Sequence, residues 1–292
     1  MNTKRPGGLG GAATAVKACV SMAPHGVALL CALSLVGCLA QTGDETDGDV
    51  GVTQEAALTN NALTNNALTN NALTNNALTN NALTNNALTN NALTNNALTN
   101  NALTDPNARE VLKYIASCAL PATSTLNLTI AGVDYSFPGS LGLAPTWEQS
   151  GGTCNTTCQE WVSACVLARL DYLGQHVDIS LRGHTPALAA SASEKSAYPV
   201  AEGAYFGNIF LATPVRYACI APGQTGLTRV CGPSTVGCAV EVLGSCATEC
   251  DKADKANGFF PNCSNENTAA AQGNAGFQVR KYAASATVFL LP

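Results

Sequence analysis

Two histidines follow the long repeat of this chain, His176 and His184. Histidine is the side chain most often used as a general base. His176 opens the stretch HVDISLRG, two residues before Asp178. On an extended strand alternate residues share a face. His176, Asp178, Ser180 and Arg182 would then line one side, and Val177, Ile179 and Leu181 the other. Such a face offers an Asp–His pair and a hydroxyl, the minimum for nucleophilic hydrolysis. Ser191, Ser193 and Ser196 follow within reach in sequence, but no Gly-x-Ser-x-Gly elbow occurs. Glycan hydrolysis by paired acids would draw on Glu148, Glu160, Glu194 and Glu202, and no spacing singles out two of them. His176, Asp178 and His184 are therefore the catalytic candidates of a hydrolase reading. No phosphate-binding glycine loop or His-rich metal motif is present, so no cofactor and no metal is expected.

Cysteine carries the stronger chemical signal. Of 13 cysteines, Cys19, Cys31 and Cys38 lie near the start. The other ten are Cys118, Cys154, Cys158, Cys165, Cys219, Cys231, Cys238, Cys246, Cys250 and Cys263. An even set in an exported chain predicts five disulfides and leaves no thiol for catalysis. The pairs Cys154/Cys158 and Cys246/Cys250 also have a spacing that zinc ribbons use, but the even count and an oxidising compartment favour disulfides.

The beginning of the chain supplies the compartment. Lys4, Arg5 and Lys17 precede an apolar run, Gly26 to Val36, which is too short to span a bilayer as a helix. That arrangement predicts a secretory signal. The run leads into Leu35-Val36-Gly37-Cys38, which resembles the lipobox of bacterial lipoproteins. The resemblance implies that Cys38 is acylated and becomes the first mature residue. The membrane partner is then the bilayer itself, reached through lipid. Leu39, where Asp would favour inner-membrane retention, points to the outer membrane.

Formal net charge is −5 and unevenly placed, with the repeat from Ala57 to Thr104 carrying none. Residues 38–56 hold Asp44, Glu45, Asp47, Asp49 and Glu55 and read as a solvated linker. From Asp105 onward there are 11 basic and 14 acidic residues and no basic cluster, so nucleic acid is not expected as a partner.

Between linker and domain, Ala-Leu-Thr occurs ten times from Ala57 to Thr104 with a period of five. On a helix each Leu would fall ~140° from the last, and on a strand successive leucines would face opposite sides. Period five resembles the pentapeptide-repeat family, whose β-helix carries one repeat per face with a central inward Leu. Here Asn and Ala stand exchanged before the Leu, so Asn would point inward, where each unpartnered side chain costs ~1–3 kcal/mol. The repeat (57–104) is therefore read as a spacer, with a short β-helix as the alternative.

The cysteine-bearing part, 105–292, predicts a small α+β, disulfide-rich domain. Asp105-Pro106 starts a helix that runs to Pro121 and presents Cys118 on its buried face. Leu126, Leu128 and Ile130, then Val133, Tyr135 and Phe137, alternate about Ala131-Gly132 as a two-residue hairpin. Thr157-x-x-Glu160 reads as the capping box of a second helix that ends at Gly174. Cys158 and Cys165 lie two turns apart on it and should bond different partners. The stretch from Glu202 to Ala212 is a buried strand or a loop over the core, Cys219 to Cys263 should be loop-rich, and SATVFLLP closes as a strand.

The runs WVSACVLARLDYLGQHVDISLRG and EGAYFGNIF are loosely similar to an uncharacterised Cys-rich domain of bacterial lipoproteins, which implies no known activity. The sequence thus predicts a lipid-anchored envelope protein displaying a binding or structural domain, with an envelope protein or cell-wall glycan as partner. The alternative is an envelope hydrolase using His176 or His184.

Overall fold

The computed structural model describes residues 57–58, 63, 103–273 and 278–292. The expected signal peptide (1–37), the acidic linker (38–56) and most of the repeat lie outside the described residues.

Helix α1 (Pro106–Ala119) forms where the sequence marks it: the Asp105 side chain accepts the Asn107 amide at 2.8 Å, and Pro106 occupies the first turn, where it costs no hydrogen bond. Val111, Leu112, Ile115 and Cys118 recur at helical spacing and are all buried. Strands β2 (Thr125–Ile130) and β3 (Val133–Pro138) make the hairpin. Its turn sets Ala131 and Gly132 at φ 50° and 80°, the left-handed pair that suits a twisted two-residue connection. Leu126, Leu128 and Ile130 point inward, and the alternating outer face is tied across by Thr129–Asp134 and Ser136–Asn127 hydrogen bonds.

Helix α2 (Thr156–Ala168) departs from the expected capping box. Asn155 is the cap, accepting the Cys158 amide at 3.0 Å. Glu160 is instead turned inward, buried, and paired with Arg280. The helix also stops at Arg169, before the expected Gly174, because Leu170 and Asp171 leave it to pair elsewhere.

The central sheet has the order β1–β4–β10–β5–β6–β7: β1 (Ala57–Leu58), β4 (Ile179–Arg182), β10 (Ser285–Leu290), β5 (Val200–Asn208), β6 (Val215–Ile220) and β7 (Glu241–Ser245). Neighbours are antiparallel except β6 and β7. Strand β10 lies between β4 and β5. Both faces are covered, which is why β5 is buried almost throughout. Tyr205, Ala218, Ile179, Leu181, Ala286 and Val288 share a core with α2, which packs on β5 and β10. Ala204, Phe206, Tyr217 and Cys219 pack on the other side against Phe260, Cys263 and Tyr282.

That second layer explains the clearest difference from the sequence reading. The polar residues of HVDISLRG do not face water together. Ser180 and Arg182 are buried beneath α3 (Ala192–Ala197) and the 256–260 loop. Thr287 Oγ1 accepts the Phe260 amide and Ser285 Oγ donates to the Phe260 carbonyl, so polar side chains of β10 hold the loop-rich layer to the sheet.

Residues of the repeat belong to this domain. Ala57 and Leu58 pair with Ser180 and Ile179 at the edge of the sheet. Leu63 is fully buried; its amide donates to the Arg169 carbonyl and its carbonyl accepts the Asp171 amide. Leu103, in the last unit, is also buried.

Candidate functional site

His176 and Asp178 are both exposed, in the irregular segment before β4, and no hydrogen bond joins them. His184 is exposed beyond β4, its ring 6.0 Å from that of Phe259. Arg182, expected beside His176, is 4% exposed. Its Nε donates to Ser180, its Nη1 to the Asn257 carbonyl and its Nη2 to the Tyr198 carbonyl, and its guanidinium carbon lies 3.7 Å from the centre of the Phe289 ring. Ser180 is thus engaged by an arginine and is out of reach as a nucleophile for His176.

Of the four acids considered, Glu194 is the most unusual. It is 3% exposed and neither carboxylate oxygen has a hydrogen-bond partner among the described residues. Its charge faces Arg182, whose guanidinium burial pulls below its ordinary range and Glu194 pulls back up. The contact that ties the end of α3 to the sheet is the one from Arg182 Nη2 to the Tyr198 carbonyl.

Glu202 belongs to a second buried network. Arg229, from α4 (Thr228–Cys231), grips it with two nitrogens, Nε lying 3.0 Å from Oε1. Tyr205 donates its hydroxyl to Glu202 at 2.9 Å, and Arg229 also donates to the carbonyls of Ala168 and Leu170. Burial lowers the basicity of Arg229, but Glu202, Tyr205 and Asp171 overcome it and hold the guanidinium above its ordinary value. Burial and then Glu202 push the Tyr205 hydroxyl well up, so it stays a donor. This network fixes the 168–172 segment that receives Leu63. Arg169 beside it is wholly buried, bonded to Ser117, with burial lowering its pKa to about 10.

The ten cysteines of the domain are all paired: Cys118–Cys165, Cys154–Cys158, Cys219–Cys246, Cys231–Cys238 and Cys250–Cys263. The first staples α1 to α2, as the buried position of Cys118 implied. Cys158 and Cys165 do take different partners. Cys246 and Cys250, which a zinc reading would have joined on one ion, each bond elsewhere. Five disulfides require an oxidising compartment, so the domain is exported. Among the described residues no helix is long and apolar enough to cross a membrane.

One surface feature was not legible in the sequence. A groove of about 350 Å³ lies between the start of β6 and the segment leading into β7, lined by Pro214, Arg216, Tyr217, Thr235, Val240 and Glu241 among others. Arg216 is half-buried there and makes no side-chain hydrogen bond or ion pair among the described residues. Burial lowers its pKa. A partly desolvated guanidinium with open donors is a ready receptor for a carboxylate or another planar anion. Arg216 stands in a plain strand pattern, VRYACI, so no sequence signal distinguishes it from a solvated charge.

Compared with known proteins, the chain matches no family model, no curated protein and no solved structure.

Proposed function

We propose that this is a lipid-anchored protein of the bacterial cell envelope that presents its disulfide-stapled domain as a binding module. The pairing of ten domain cysteines is the observation that carries the exported setting. The lipobox-like Leu35-Val36-Gly37-Cys38 supports acylation at Cys38, and Leu39 supports an outer-membrane destination. The groove beside Arg216 supports an anionic ligand, such as a cell-wall glycan bearing carboxylates or an acidic segment of an envelope protein. The hydrolase alternative rests on His176, Asp178 and His184, which are all exposed.

Cell fractionation of Cys38→Ala tests the anchor: the variant should move from the membrane to the soluble fraction, and retention would overturn it. Pull-down of the full chain with carboxylate-bearing and carboxyl-reduced glycan tests the groove. Binding should require the carboxylates and fall at least ~10-fold in Arg216→Gln, the loss of one bidentate pair. Equal binding of both glycans, or by both proteins, would overturn the Arg216 reading.

A further inference from the structure

Two of the five disulfides touch. Sγ of Cys219 lies 3.5 Å from Sγ of Cys250, although each is bonded to a different partner. Sγ of Cys263 lies within 4.8 Å of both, so four sulfurs are gathered where β6, α5 (Cys246–Glu249) and β8 (Cys263–Ser264) meet. Disulfides exchange when a thiolate attacks a neighbouring S–S bond, and reacting atoms held about 3–3.5 Å apart are already at near-attack distance. The other three disulfides of the domain have no such neighbour among the described residues.

The four sulfurs are not equally accessible. Cys219, Cys246 and Cys263 are 0% exposed, whereas Cys250 is partly open to solvent. Cys250 is therefore the sulfur an external thiol reaches first. The buried Cys219–Cys246 bond has no direct route to a reductant.

We propose that the cluster is a thiol–disulfide relay, in which reduction received at Cys250–Cys263 is passed to the buried Cys219–Cys246 bond. In the first step a dithiol supplies two electrons. One of its sulfurs attacks Cys250 and releases Cys263, and the other then displaces Cys250, leaving the dithiol as its cyclic disulfide and the protein with two thiols. Sγ of Cys263 lies 3.6 Å from the Phe260 carbonyl, an acceptor for the proton of the thiol that this step releases. The Cys250 thiol loses its proton and attacks Cys219 Sγ. The Cys219–Cys250 bond forms, the Cys219–Cys246 bond breaks, and Cys246 leaves as a thiolate that takes up the proton. The exchange consumes no further reductant. Its product carries free thiols at Cys246 and Cys263. The cluster thus holds two connectivities, and Cys246, at the end of edge strand β7, is freed from β6 in one of them.

The test is partial reduction of the native, full-length protein with one equivalent of dithiothreitol, rapid alkylation and mass-spectrometric mapping of the remaining linked peptides. Peptides joined through Cys219–Cys250, with alkylated Cys246 and Cys263, are expected while Cys118–Cys165 remains intact. Alkylation confined to Cys250 and Cys263, with Cys219–Cys246 still bonded, would overturn the relay. Links from this cluster to any of the other six cysteines would overturn it equally, as they would report shuffling in an unfolded chain. A Cys250→Ser/Cys263→Ser double variant gives an independent measure. Reduction of Cys219–Cys246 should slow at least ~10-fold in it, while Cys154–Cys158 is reduced at the wild-type rate as a folding control. An unchanged rate at Cys219–Cys246 would overturn the proposal.

Discussion

The carbonyl of Leu63 accepts the backbone amide of Asp171 at 2.9 Å, while the Leu63 amide donates to the Arg169 carbonyl. A residue of the low-complexity repeat is thereby built into the domain as a strand would be, with its side chain fully buried. Burial of one leucine contributes about 1.5–3 kcal/mol, enough to make this docking a real part of the stability of the domain.

Leu63→Pro removes the donor to Arg169 and the fit of the side chain together. Hydrogen exchange of the Asp171 amide should accelerate at least ~10-fold in that variant, because its acceptor leaves. Persisting protection would mean that another of the identical Ala-Leu-Thr units takes the place of Leu63.

Arg229→Met leaves Glu202 buried with only Tyr205 to bond it. Breaking one side of a buried ion pair costs about 3–5 kcal/mol, and the 168–172 segment loses two carbonyl partners as well. A clear fall in Tm is expected, measurable by circular dichroism. A Glu202→Gln/Arg229→Met double variant should recover part of it, since the orphaned charge is then gone.

Gly203→Ala tests the close contact between β5 and β6. A Cβ at position 203 would lie 2.3 Å from the Cys219 carbonyl oxygen and 2.9 Å from Leu227. The strands cannot part without breaking their ladder, so destabilisation of about 1–3 kcal/mol is expected in chemical denaturation.

Tyr282 gives the domain an alkaline limit. Burial, and then the neighbouring Tyr217, push its hydroxyl up to about 12. The folded state holds this proton after the unfolded chain has lost it near pH 10, so the contribution is complete below about pH 10 and disappears as pH rises toward about 12. Burial acts in the same direction on Tyr205 and Tyr217. In a titration of Tm against pH, Tyr282→Phe should decline less steeply than wild type above pH 10.

Local marks carried much of this architecture. Asp105-Pro106 begins α1 because a capping carboxylate and a preset φ act within one turn, whatever surrounds them. Ala131-Gly132 makes the hairpin for the same reason. The even set of ten cysteines foretold full pairing, and the buried face of α1 foretold that Cys118 would staple the helix to the body. Periodicity, caps and parity are properties of short stretches or of simple counts, and they survive folding unchanged.

What alternation could not say was how many layers cover a strand. HVDISLRG reads as half-polar, yet Ser180 and Arg182 are buried because a second, disulfide-held layer from the far end of the chain closes over them. The same long-range closure turned Glu160 from a cap into the partner of Arg280, paired Glu202 with Arg229, and set Arg216 in its groove without an ion pair among the described residues. The sequence by itself determined an oxidising compartment, the full pairing of the ten domain cysteines, and the start of α1 and the hairpin. Only the tertiary structure decided which polar groups meet, since those meetings join residues 27, 75 or 120 positions apart, and nothing local encodes them.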